Sequence, residues 1–130
     1  MKKQLKRKDY EQPLAVSREG MRYHHIGIPT KEIKPNEKYL SEYKFYVSGF
    51  ETSKYGIEWM RFEKDSPVSD LVKKIPHIAF EVDDLDSAVK GKELISEITS
   101  PSKGVRTVMI KENGAPVEFI EFNKKRGKNN

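Results

Sequence analysis

The sequence predicts an α+β domain made of two similar β-rich modules, and three observations carry that reading. Short segments alternate polar with apolar residues, the pattern of half-buried strands. Two of these segments open on a histidine, His25-Ile26-Gly27-Ile28 and His77-Ile78-Ala79-Phe80. Two others carry a glutamate directly after a branched residue, Ile57-Glu58 and Val117-Glu118, and the four occur in the order His, Glu, His, Glu. Asn113-Gly114 between two apolar-rich runs is a strong hairpin turn signal.

In chain order, the folded part begins at Met21, with a first strand through Pro29, where proline ends the strand or sets it at a sheet edge. Residues 30–38 read as loop. The stretch 39–50 fits either a helical stripe or a strand; its aromatic and β-branched content from about residue 43 favours strand. A turn at 52–56 leads to a strand over 57–63, and a short helix follows near Val68–Lys74. His77-Ile78-Ala79-Phe80-Glu81-Val82 sets His77, Ala79 and Glu81 on one face and Ile78, Phe80 and Val82 on the other. Asp83 and Asp84 then cap or charge-match a helix within 84–91. Residues 93–99 read as strand and 100–104 as loop. Strands over 105–111 and 116–122 close the hairpin.

The two halves therefore form a weak internal repeat, the mark of similar modules packed by pseudo-symmetry. If the apolar sets Ile26/Ile28, Ile57/Trp59, Ile78/Phe80/Val82 and Val117/Phe119 pack inward, His25, Glu58, His77 and Glu118 share the opposite face. Two imidazoles and two carboxylates on one concave sheet suit a divalent first-row ion, Zn, Ni, Co, Mn or Fe. Met60, Phe62, Ile120 and Phe122 lie on the same strand faces as the glutamates and are candidates for an apolar substrate pocket. His24 reads as a structural or surface histidine.

Composition sets the limits. The chain has 130 residues and a formal charge of +5. Residues 1–20 hold six basic and three acidic side chains and residues 123–130 hold four basic ones, which leaves fifteen basic against seventeen acidic between them. The basic character thus sits in the ends, read as a basic, disordered extension (1–20) and a basic tail (124–130) around one domain (21–123). Such runs are ordinarily solvated, so nucleic-acid binding is the disfavoured partner class. With no cysteine, disulfides, thiolate catalysis and cysteine-metal sites are excluded. No apolar run is long enough for a membrane span or a signal-peptide core, and the expected compartment is the cytoplasm.

His25-Ile-Gly-Ile, His77-Ile-Ala-Phe-Glu-Val-Asp-Asp-Leu-Asp and Asn113-Gly-Ala-Pro-Val-Glu118-Phe-Ile-Glu together resemble the vicinal oxygen chelate superfamily, which includes glyoxalases, methylmalonyl-CoA epimerase, ring-cleaving dioxygenases and bleomycin-resistance proteins. The likeness spans about residues 21–123. It implies paired βαβββ-type modules forming a curved mixed sheet around a cavity, with one metal ligand on the first and last strand of each module: His25, Glu58, His77 and Glu118. His25 and Glu58 stand 33 residues apart against 41 for His77 and Glu118, so the first module is trimmed. The resemblance implies a small cytoplasmic lyase or isomerase using metal-stabilised enolate chemistry on a small carbonyl compound, with Glu118 the preferred general base and Glu58 the other. The alternative is a metal-free binding or sequestering protein of the bleomycin-resistance kind. A homodimer is expected, with Tyr43, Phe45 and Val47 as the face offered to a second copy.

Overall fold

The structure, a computed structural model, describes residues 7–123; the 124–130 tail and the first six residues of the extension lie outside that range. The first module supplies β1 (Arg22–Pro29), β2 (Lys38–Leu40), β3 (Phe45–Ser48) and β4 (Ile57–Phe62). The second supplies β5 (His77–Glu81), β6 (Glu93–Leu94), β7 (Thr99–Ser102), β8 (Val105–Glu112) and β9 (Ala115–Phe122). Among the described residues three short α-helices accompany them, α1 (Leu14–Ser17), α2 (Asp70–Lys74) and α3 (Leu85–Ala88), with one 3-10 turn at Phe50–Thr52. All nine strands join one mixed, curved, unclosed sheet in the order β2-β3-β4-β1-β5-β9-β8-β6, with β7 also on β8.

The repeat seen in the sequence is a pseudo-twofold in this sheet. β1 and β5 run antiparallel at its centre, each flanked by the last strand of its own module in parallel, β4 beside β1 and β9 beside β5. The parallel pairs need long crossovers, and these differ between modules. In the second, α3 makes the crossover: Asp84 accepts from the backbone N–H of Ser87, and Leu85 is fully buried, a burial worth about 1.5–3 kcal/mol. In the first, residues 30–37 make it with no helix, the trimming that the shorter spacing implied.

Each face of the sheet therefore has its own core. On the outer face of the second module, Val82, Leu85, Val108, Ile110 and Phe119 pack together with Met21 against them. On the inner face of the first, Val72 of α2 packs on Phe45 and Met60, with Ile95 and Met109 from the second module. In place of a helix, the outer face of the first module carries charges and rings. Lys34 Nζ stands 4.2 Å from the Trp59 ring centre, and Arg61 holds Glu37 by bonds of 2.8 and 2.7 Å while lying 4.1 Å from the Tyr46 ring centre.

Several local expectations are corrected. The 93–99 segment is two short strands, and 100–102 belong to β7, because Thr99 and Ser102 pair with β8. The helix in 84–91 is a single turn. β2 falls where loop meets the ambiguous stretch. Ile78 is 37% exposed while His77 and Ala79 are 2% and 0% exposed; at this end of β5 the histidine side is the deeper one, since Val72 of α2 and the 96–101 segment line the cavity over it. For the same reason Phe45 is buried and Tyr43 and Val47 are half-buried within the chain, not displayed. No described helix is long and apolar enough to cross a membrane.

Candidate metal centre

Sheet register builds the centre. On the β1–β5 ladder His25 pairs with Ala79 and Gly27 with His77. On the parallel pairs Gly27 is opposite Glu58 and Ala79 opposite Glu118. In each module the glutamate thus pairs with the residue two after the histidine, and each histidine faces one of the two smallest residue types across the seam. All four predicted side chains emerge on the inner face within reach of one another.

The Nε2 atoms of His25 and His77 lie 3.2 and 3.0 Å from the same oxygen, Oε1 of Glu118, and His25 Nε2 is 3.3 Å from Oε1 of Glu58. His25, His77 and Glu118 offer donor atoms all within 4.8 Å of one another; Glu58 stands outside that triple, against His25. An ion bound at about 2.0–2.2 Å keeps neighbouring ligand atoms roughly 3–3.5 Å apart, and the imidazole-to-carboxylate separations fall in that range. His77 turns Nε2 to Glu118, while its Nδ1 is buried with no hydrogen-bond partner among the described residues. Borderline nitrogen donors with hard carboxylate oxygens fit a first-row divalent ion.

The four groups polarise each other. Burial would lower the pKa of His25, but the hydrogen bond to Glu118 and the charges of Glu118 and Glu58 outweigh it and hold it above its ordinary value. Burial would raise Glu118, yet its bonds to His25 and His77 bring it down to about 2. Glu58 has no such second partner, and burial raises it.

A cavity of about 190 Å³ opens beside these residues, lined by Tyr43, Phe45, Val47, Met60, Val72 and Met109 together with the hydroxyls of Ser96, Thr99 and Thr107. Of the four residues expected to form the pocket, Met60 lines it and the others do not. Phe62 packs at the edge of the inner cluster and Ile120 is 4% exposed away from the cavity. Phe122 lies 5.7 Å from the His24 ring. Strand twist turns successive residues of one face progressively away from a fixed point, so alternation overestimates how much of a strand reaches one cavity.

Two positions beside the centre are not singled out by the residue pattern. A methyl group on Gly27 would collide with Cε1 of His77 and lie 2.8 Å from both ring nitrogens; a glycine inside a strand is a signal of such close approach. His24 is an inserted residue in β1, since Tyr23 pairs with Phe80 and the next pair is His25 with Ala79. The bulge brings its ring beside that of His25, with Nδ1 atoms 2.8 Å apart, and nothing in the residue pattern announces it.

No family model matches the chain, and no curated protein matches it in sequence. Among solved structures it is similar to the hypothetical protein BH1468 from Bacillus halodurans C-125, with a TM-score of 0.61 and 19% identity over 78% of this chain and 94% of that one. It is also similar to methylmalonyl-CoA epimerase from Mycobacterium tuberculosis, with a TM-score of 0.55 and 19% identity over 82% of this chain and 91% of that one. Identity at this level speaks for the fold. With its paired modules, central antiparallel seam and curved mixed sheet, the chain has the fold of the vicinal oxygen chelate, or glyoxalase-like, superfamily, to which that epimerase belongs.

Proposed function

We propose that the protein is a small glyoxalase-like metalloprotein, a lyase or isomerase acting on a small carbonyl compound through an enolate. The observation that carries the reading is the convergence of His25, His77 and Glu118, with Glu58 beside them, at the mouth of an apolar cavity. A divalent ion held there supplies Lewis-acid stabilisation of a developing oxyanion. His25, His77 and Glu118 are its holders, and Glu58 is the fourth ligand or the base.

The electrostatics favour Glu58 over Glu118 as base. Glu118 lies against two imidazoles and, with an ion bound, would be a ligand, so it is the less free of the two to take a proton. Glu58 touches His25 alone and is made more basic by burial, the tuning that general bases require. In the proposed step Glu58 takes the proton from the carbon beside the carbonyl, and the C–H electron pair passes into the enolate. Return of that proton completes an isomerisation. The cavity lining has no lysine or arginine and its volume is below the roughly 300–1,000 Å³ of sites for drug-sized ligands, so the ligand is small and lacks an anionic extension inside the pocket.

A metal-free binding protein is the second reading, and one observation favours it: His25, His77 and Glu118 already satisfy one another by hydrogen bonds. Elemental analysis of protein purified without a metal-binding tag, followed by calorimetric titration with Zn²⁺, Ni²⁺, Co²⁺ and Mn²⁺, separates the two. Stoichiometric metal supports the enzyme; no binding of any of the four leaves the sequestering protein as the function.

A further inference from the structure

We infer that His24 is a positioning residue for this centre: its Nδ1 accepts the Nδ1 proton of His25 and thereby leaves His25 Nε2 bare for the ion. The inference rests on the metal reading above and adds a residue outside its ligand set.

On a regular strand adjacent side chains point to opposite faces, and His24 would be remote from the centre. As the inserted residue between the Tyr23–Phe80 and His25–Ala79 pairs, it lies against its neighbour, with ring centres 5.1 Å apart at 77°. The 2.8 Å separation of the two Nδ1 atoms requires one proton between them, because two bare nitrogens or two N–H groups repel at that distance.

The position of that proton decides what His25 can do. If His24 carries it, neutral His25 must hold its own proton on Nε2, the nitrogen aimed at Glu118 and Glu58, where it blocks ligation. If His25 carries it, Nε2 has a free lone pair. Only the second arrangement is compatible with a bound ion. The acceptor is held between rings: that of His24 stacks on Phe50 at 5.1 Å and 14° and has Phe122 at 5.7 Å and 42°. Ligating histidines generally donate their second N–H to a carboxylate, carbonyl or water; here another imidazole takes that place.

The test compares wild type, His24→Phe and His24→Asn as full-length chains, by calorimetric Zn²⁺ titration and by the visible absorption of bound Co²⁺. Phenylalanine keeps the stack on Phe50 and removes the acceptor; asparagine keeps an acceptor near the position of Nδ1. The expected result is a loss of about 10–100-fold in affinity for His24→Phe with altered Co²⁺ bands, and recovery of most of the affinity and of the wild-type bands for His24→Asn, with melting curves confirming that all three are folded. Equal affinity of wild type and His24→Phe overturns the inference, and so does a loss that asparagine fails to repair, which would mark His24 as packing alone. Wild type that binds neither ion overturns the metal reading itself and this inference with it, an outcome distinct from the other two.

Discussion

Gly27 and His77 are direct partners across the β1–β5 ladder, and the missing side chain of Gly27 is the space in which the His77 imidazole lies. His77 is 2% exposed and lines the cavity, so a methyl group at Gly27 would push its ring out of place toward that space. Gly27→Ala is therefore expected to lower stability by about 1–3 kcal/mol, the range for overpacking, and to weaken metal binding by displacing the ring. Denaturant unfolding and metal titration check both effects; an unchanged midpoint with unchanged affinity would mean that the ladder relaxes around the methyl group.

His77→Ala removes a nitrogen donor while Phe80 and Val82 keep β5 in place. Metal affinity is expected to fall by more than the roughly 10–100-fold typical of changes behind the ligands, with a cooperative melt retained. Calorimetric titration beside a melting curve reads both. Equal binding by variant and wild type would remove His77 from the ligand set.

The outer cover of the first module predicts a pH effect. Its hydrogen bonds to Arg61 hold Glu37 at about 2, below the ordinary 4.5. A carboxyl lowered on folding contributes stability that is complete above its unfolded value and lost as pH falls through its folded value. Wild type should exceed Glu37→Gln in stability near neutrality, and the gap should close as pH drops from about 4.5 to about 2. A gap independent of pH would exclude the Arg61 pair as its source.

A chain beginning at Met21 should melt within a few degrees of the full chain. α1 buries none of its residues, whereas Met21 packs on the core of the second module. A fall on the order of 10 °C, which in a domain of this size reflects more than 1 kcal/mol, would show that the extension is part of the fold.

Much of this architecture could be read in the sequence because it depends on local chemistry. Asn113 and Gly114 both take positive φ, which those residue types tolerate, and Asp84 caps α3 as its position before Leu85 foretold. His25, Glu58, His77 and Glu118 come close in space because a repeated pattern lands on repeated register. What escaped depends on long-range geometry. The bulge at His24 is set by pairing with β5, and the retreat of Phe62, Ile120 and Phe122 from the cavity by twist. The depth of His77 relative to Ile78 follows from which face α2 happens to cover, and no window of residues around β5 contains that information.

The substitution of charges and rings for a helix over the first module gives the two halves different weaknesses. Leu85, Val108 and Phe119 hold the second half by apolar contact, which fades on cooling. Lys34, Glu37 and Arg61 hold the cover of the first by charge, which added salt screens at its exposed parts. Each half contributes one histidine and one glutamate to the centre. High ionic strength would thus loosen the cover on one side of the seam, whereas cold would weaken the apolar packing on both, and the four donors would feel the two conditions by separate routes.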